Sequence, residues 1–400
     1  MMDRKQEPEV SMKLWRISLF IIFALPGLAF STWVTRTPTV RDLLAVSTAE
    51  MGWIIFGLAV GSLAGLVFAS RAVARKGARF IIVICGLLFM LGLGAVGVSA
   101  YFASSTAVFL SLLFFGLGYG LAEVALNVEG AALERAANKT LMPALHAGFS
   151  AGTLAGAGIG SAAAAYEVPI LLHLGSVAVI LAAVMLYFYR YLPEGTGKEE
   201  QRQSSGGSIP LQERLGVWKE KRIIMIGLVV LGLAFTEGTA NDWIPILMVD
   251  DYQVSAATGS LIFSLFVGAM MVGRLLGGYF LDRFGRVAVL RVTIIMAIVG
   301  VLLVILGQHY IVASVGVVCW GLGAALGFPV GMSAAGDEEQ GAAARVGAIA
   351  MIGYISFLVG PPFIGLMGEH YGLQRALIAI LIFLVISALL ARSVNPVRKN

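Results

Sequence analysis

The sequence predicts an all-α integral membrane protein of twelve transmembrane helices, arranged as two six-helix halves. Three observations predict it. Of the 400 residues, 58% are hydrophobic and only 13% charged, with a mean hydropathy of +0.89; a soluble domain carries about 25% charged residues. A hydrocarbon core about 30 Å thick needs about 20 apolar residues per helix, and runs of that kind recur along the whole chain. Short motifs of the first half also reappear in the second at a nearly constant offset.

In order, the expected spans are 15–36, 50–71, 79–101, 105–130, 141–165, 168–191, 221–243, 256–281, 287–307, 310–335, 345–367 and 373–393. The first run follows a polar, basic start and precedes no small-residue cleavage pattern, so it reads as a retained span. The longest polar segment, Leu192 to Lys221, is rich in Gly, Ser, Glu, Gln and Lys over its first half, and Leu211–Trp218 is expected to form a short interfacial helix. The expected organisation is an N-terminal half (1–191), a linker (192–220) and a C-terminal half (221–400). Leu28-Ala-Phe-Ser31 matches Leu233-Ala-Phe-Thr236, Val46-Ser-Thr-Ala49 matches Val254-Ser-Ala-Ala257, and Phe115-Gly-Leu-Gly118 matches Trp320-Gly-Leu-Gly323, at an offset of 205–208. Parallel repeats of this kind put a solute path between the halves near mid-membrane.

The formal net charge of +5 is not a nucleic-acid patch, because the bases fall in short connections. Connections on the N-terminal side hold Arg71, Arg75, Lys76, Arg79, Arg135, Lys139, Arg283, Arg286, Arg291 and Arg345, against Arg36, Arg41 and Arg375 opposite. By the positive-inside rule both termini are expected in the cytoplasm, with the protein in the cell (plasma or inner) membrane. Cys85 and Cys319 sit inside apolar runs, which argues against disulfides, zinc and redox motifs. No nucleophile elbow, metal cluster or phosphate loop is present, so neither enzyme activity nor a cofactor is expected.

Polar groups inside the spans are the candidate functional residues, because a charge in hydrocarbon is expensive unless a partner or a function retains it. The run Gly116-Leu-Gly-Tyr-Gly-Leu-Ala-Glu-Val-Ala-Leu-Asn127 sets Glu123 and Asn127 one turn apart on span 4. Glu123, Glu237 and His146 are the candidates for carrying a coupling proton, with a Glu123–His146 pairing expected. The repeat aligns Glu123 with Phe328 and Asn127 with Met332, so a proton site on span 4 would be one-sided. Asn127, Tyr119, Asn241, Thr35 and Trp243 are the candidate solute contacts, offering hydrogen bonds beside aromatic faces; Trp33 reads as a membrane-interface residue. Gly148, Gly152, Gly156 and Gly160 form a smooth stripe on span 5 that lets a neighbouring helix approach.

The connection after span 8 reads Gly273-Arg-Leu-Leu-Gly-Gly-Tyr-Phe-Leu-Asp282-Arg283-Phe-Gly285-Arg286. It resembles the loop signature Gly-x-x-x-Asp-Arg-x-Gly-Arg of the major facilitator superfamily. The equivalent loop, Ser70-Arg-Ala-Val-Ala74-Arg75-Lys76-Gly77-Ala-Arg79, lacks the Asp, so the lock of that half is expected to be degraded or to use Glu129 or Glu134 instead. Arg75, Arg79, Glu129, Arg274, Asp282, Arg283 and Arg286 are accordingly expected to form a cytoplasmic gate. Glu123-Val-Ala-Leu-Asn127, His146-Ala-Gly-Phe-Ser-Ala-Gly152, Glu237 with Trp243, Gly327-Phe-Pro329 and Gly360-Pro361 resemble the fucose permease branch. That resemblance implies a transporter working by alternating access, coupling protons to symport of a small polar, sugar-like solute; a monomer is expected. It departs from the branch in span 1, where Arg36 stands in a region expected to hold an acid. The rival expectations are proton-coupled efflux of amphipathic compounds and a membrane receptor that binds ligand without transport.

Overall fold

The computed structural model describes residues 11–139, 141–198, 216–337 and 341–396. Long helices follow one another throughout. They are α1 (Met12–Val34), α2 (Thr48–Lys76), α3 (Ala78–Tyr101), α4 (Ser105–Ala137), α5 (Met142–Ala165) and α6 (Ile170–Phe188). The second set is α7 (Lys221–Asp250), α8 (Ala256–Phe284), α9 (Arg286–Leu306), α10 (Tyr310–Ala335), α11 (Ala342–Tyr371) and α12 (Leu373–Val394). Eleven of them are long and apolar enough to cross a membrane. The remaining one, α5, is 24 residues long, and its lower apolarity comes from Gly and Ala rather than from charge. The protein is therefore a multi-pass membrane protein of two six-helix halves, as the hydropathy predicts. Only helices of this kind satisfy every backbone N–H and C=O in lipid without outside partners.

The repeated motifs have a local physical meaning. Ser47 and Ser255, the serines of the Val-Ser repeat, cap α2 and α8. The Ser47 hydroxyl accepts from the Glu50 N–H (3.2 Å) while Glu50 accepts from the Ser47 N–H (2.8 Å), and Ser255 accepts from the Thr258 N–H (3.2 Å). Such caps satisfy amide groups that the first turn leaves open. Gly77 and Gly285 turn the chain from α2 into α3 and from α8 into α9 at φ of 88° and 77°, a conformation that side chains with a Cβ resist.

Several helices run beyond the apolar stretch. Helix α4 continues to Ala137 and α7 to Asp250, where hydropathy placed their ends near 130 and 243. Hydropathy marks the hydrocarbon boundary, whereas helical hydrogen bonding continues while packing supports it; Glu129 and Leu133 are buried on the α4 extension. Helix α10 breaks at Ala325–Leu326 into Tyr310–Ala324 and Gly327–Ala335. Of the expected interfacial helix, 211–215 lies outside the described residues, and Val217–Lys219 forms one 3-10 turn.

Within the N-terminal half, glycines bring backbones together. A Cβ at Gly152 or Gly156 would overlap the Ala24 or Leu28 carbonyl of α1, and one at Gly116 or Gly120 would overlap the Leu58 or Ser62 carbonyl of α2. The span-5 stripe is thus a packing seam, as is the glycine run preceding Glu123.

The halves touch mainly at the side opposite the chain's termini, called here the far side. There α2 and α11 cross so closely that a Cβ on Gly52 would lie 2.6 Å from the Pro361 carbonyl oxygen. Ser260 of α8 donates to the Thr35 carbonyl (2.8 Å), Ser161 of α5 to the Ala257 carbonyl (3.0 Å), and the Ala49 N–H to Glu369 (3.3 Å). Arg41, on the short helix Thr37–Leu44, pairs with Asp250 at the end of α7.

Candidate functional site

Where the halves face each other at mid-depth, α4, α7, α8 and α11 bring polar side chains together. Glu123 of α4 is accessible in the gap and accepts a hydrogen bond from the Tyr354 hydroxyl of α11 (2.8 Å). This bond joins one half to the other. Asn127, one turn along, donates to the Glu123 backbone carbonyl (2.7 Å). Across the gap, Arg274 of α8 donates to Glu237 of α7 (2.9 Å), with side-chain exposures of 33% and 13%. Tyr119 lies within electrostatic reach of Glu123, Glu237 and Arg274, and His146 within reach of Arg274. Tyr119 also meets Phe30 and Phe149 at ring-centroid distances of 5.9 and 6.5 Å. Together these groups form an aromatic-walled site with one inter-half hydrogen bond and one ion pair.

Several expectations need correction. His146 is not the partner of Glu123; its ring stands edge-on to Phe23 at 5.5 Å, and Tyr354 takes the hydrogen bond. Arg274 belongs to this central cluster rather than to a loop gate, because α8 carries it inward beside Glu237. Thr35 bends back onto its own helix, donating to the Ser31 and Thr32 carbonyls (both 3.0 Å), so its hydroxyl is already used. Trp243 is 1% exposed and packs on Gly365 at the far-side crossing, away from any open surface. Trp33, expected at the interface, is also buried, as is Arg36. Asn241 is half-buried on α7, on the same helix as Glu237.

The terminal-side charges are also rearranged. Arg286 donates to Asp337 (2.7 Å) and to the Ser333 hydroxyl (2.9 Å), and Arg222 donates to the same Asp337 (2.8 Å). The acid that holds these bases is therefore Asp337, at the end of α10. Asp282 and Arg283 are exposed, and Arg283 donates to Tyr279 (2.8 Å). In the other half Arg79 pairs with Glu194 (3.0 Å) and lies over the Tyr189 ring, while Arg75 is exposed. Glu129 is fully buried; Trp15, Thr196 and Arg79 lie near its carboxylate, but neither oxygen is in hydrogen-bonding geometry with a partner among the described residues. Glu134 accepts from the Leu141 and Met142 N–H groups (2.6 and 2.9 Å), tying the start of α5 to α4.

Tyr354 and Asp337 are the two residues that sequence reasoning missed. Tyr354 gives no signal, since a tyrosine in an apolar helix is ordinary. Asp337 had one: it stands from Glu129 at the offset of the internal repeat, as do Arg222 from Arg16 and Arg286 from Arg79.

The model of the Major Facilitator Superfamily matches residues 18–338 and 227–399. The chain belongs to that superfamily. An uncharacterized transporter of Sinorhizobium fredii is 25% identical over 370 residues, covering 92% of this chain and 95% of that protein. Membrane protein MosC of Rhizobium meliloti is 27% identical over 370 residues, covering 92% and 86%. The 3-(3-hydroxy-phenyl)propionate transporter of Escherichia coli K12 is 24% identical over 273 residues, 66% of this chain and 64% of that protein. Among solved structures, a mutant of the nucleoside transporter NupG superposes with a TM-score of 0.81 at 16% identity, covering 95% and 99% of the two chains. A bacterial homologue of the lysosomal transporter Spinster, solved inward-facing, superposes with a TM-score of 0.72 at 15% identity, covering 97% and 98%. At these identities the superpositions speak for the fold alone. The protein is a membrane transporter of this superfamily, not an enzyme.

Proposed function

We propose that this transporter couples protons to the symport of a small polar, sugar-like solute by alternating access, with Glu123 as the proton carrier. The observation that carries the reading is the Tyr354–Glu123 hydrogen bond between the halves, beside the Glu237–Arg274 pair. An ionised carboxylate accepts a charge-assisted hydrogen bond roughly twice as strong as a neutral one. Loading a proton on Glu123 therefore weakens the tie to α11, and releasing it restores the tie. Solute and proton share one gap, so occupancy by one changes the energy of binding the other. That is the linkage a symporter requires.

In this reading the termini are cytoplasmic, and the far-side contacts at Gly52–Pro361, Thr35–Ser260 and Arg41–Asp250 close the outer mouth. The structure then corresponds to an inward-open state. Asn127, Asn241 and Tyr119 supply neutral hydrogen-bonding groups and an aromatic face for a hydroxylated ring.

Arg274 favours a second reading, uptake of an organic monoanion. A solute carboxylate would compete with Glu237 for the guanidinium, and the Escherichia coli relative is a transporter of an aromatic acid.

The deciding experiment has two stages. Purified protein is screened for thermal stabilisation by monosaccharides, nucleosides, aryl-propionates and cationic amphiphiles. The hit is then assayed in proteoliposomes with Glu123→Gln. The variant is expected to lose pH-gradient-driven accumulation while keeping solute exchange; full uphill uptake would reject Glu123 as the carrier. Stabilisation by carboxylates alone would select the second reading, and by amphiphiles alone would reject both.

A further inference from the structure

On the far side of the N-terminal half, away from the central site, the chain buries a cation without an acid. Arg36 follows α1 directly and is only 3% exposed. One guanidinium nitrogen, Nη2, donates to the Val168 carbonyl at 2.9 Å. Its Nε and Nη1 have no hydrogen-bond partner among the described residues, and no acidic side chain pairs with it. Arginine keeps its proton in proteins, and a buried charge without compensation is strongly unfavourable.

The surroundings are those of an anion site rather than of a second salt bridge. Val168 immediately precedes Pro169, which caps the 19-residue helix α6. The first-turn amides of that helix, at Ile170 to Leu172, point toward its N-terminus and carry the positive end of its dipole. His173, at the next position, is 4% exposed and has neither ring nitrogen partnered, and it lies within electrostatic reach of Arg36. Two unpartnered guanidinium donors, an unpartnered imidazole and a helix N-terminus thus converge in one buried place. Arg41, the other base of this connection, pairs with Asp42 and Asp250, and Glu167, next to Val168, is exposed.

We propose that Arg36, His173 and the N-terminus of α6 form a buried binding site for a small monovalent inorganic anion of halide type. Close packing favours a small anion: α3 presses on the start of α6, where a Cβ on Gly97 would stand 3.4 Å from the Ile170 carbonyl oxygen and the Leu171 Cα. A halide accepts hydrogen bonds from several directions without the planar geometry a carboxylate needs. The site is separate from the proton carrier, so its test does not depend on Glu123.

Thermal unfolding of the purified full-length protein is followed while sodium gluconate is replaced by chloride or bromide at constant ionic strength. A saturable rise of about 2–5 °C is expected with either halide and not with sulfate. Arg36→Gln should abolish the rise, and His173→Phe should raise the half-saturating halide concentration by about tenfold, the loss of one buried hydrogen bond to an ion. No halide dependence in the unsubstituted protein overturns the proposal, as does a rise retained undiminished in Arg36→Gln. If Arg36→Gln does not fold, the His173→Phe titration decides: an unchanged half-saturation overturns the proposal, and a shifted one supports it.

Discussion

The two halves share a fold, yet they neutralise charge differently. On the terminal side of the C-terminal half, Arg222, Arg286 and Asp337 form one closed cluster. The residues at the repeat offset in the other half are Arg16, Arg79 and Glu129, and there the cluster is open. Arg79 turns to Glu194, Arg16 lines an otherwise apolar groove of about 310 Å³ between α1 and α5, and Glu129 is buried without a hydrogen-bond partner among the described residues. At mid-depth the same contrast recurs. Glu237 has Arg274 within its own half, whereas the side chain of Glu123 bonds Tyr354 of the other half. Packing is alike in kind: α4 and α5 press glycines onto neighbouring backbones, and in the C-terminal half Gly300, Gly321 and Gly323 press onto the backbones of Trp320, Phe266 and Ala297, while Gly227, Gly331 and Gly353 face the side chains of Ile352, Val230 and Phe328. On the terminal side and at mid-depth the C-terminal half pairs its charges within itself, while on the far side its Asp250 pairs with Arg41 of the N-terminal half.

The largest effect that could break this comparison is the Glu123→Gln experiment, with uphill transport abolished. The matching substitution in the C-terminal half, Glu237→Gln, leaves Arg274 without its carboxylate; the Glu237→Gln/Arg274→Gln double variant should be more stable than either single one, measured by thermal unfolding. A double effect equal to the sum of the two single effects would show that the pair is not a unit.

Next come the packing seams. Gly152→Leu must displace the Ala24 carbonyl, a backbone atom, and should cost about 3 kcal/mol or more, seen as loss of monodisperse protein in size-exclusion chromatography. Gly227→Ala meets only the tip of Ile352 and should cost less than about 1 kcal/mol. Asp337→Asn, which uncouples two arginines from a carboxylate 9% exposed, should cost about 3 kcal/mol. The Arg79 partner Glu194 is 65% exposed, so Glu194→Gln should leave the unfolding midpoint nearly unchanged; a drop as large as for Asp337→Asn would erase the contrast between the halves. The smallest effect concerns the far-side latch. Asp250→Asn should reduce the far-side-closed population by at most about fivefold, as expected for a partly exposed ion pair, read from spin-label distances between the ends of α2 and α11.

Much of this was legible in the chain. Apolar run length alone placed the helices, because a bilayer imposes a length and forbids unsatisfied backbone. The glycines of the loop signature and of its counterpart, Gly285 and Gly77, fell at tight reversals, because a positive φ is a local property of one residue; the capping role of the Val-Ser repeats emerged only with the structure. Glu123, Asn127, Tyr119 and Glu237 were recognisable as candidates because polar groups in apolar runs are costly wherever the helix ends up. Partner choice was not legible. Whether Glu123 meets His146 or Tyr354, whether Arg274 faces a loop or Glu237, and whether Trp243, Trp33 and Arg36 lie at a surface or inside depend on helix rotation and crossing. Those are set by packing among residues hundreds of positions apart. The sequence by itself determined how many helices cross, where they begin and which groups are expensive; only the tertiary structure decided which of those expensive groups share the expense, because side-chain pairing is a property of helix faces brought together and not of any one helix.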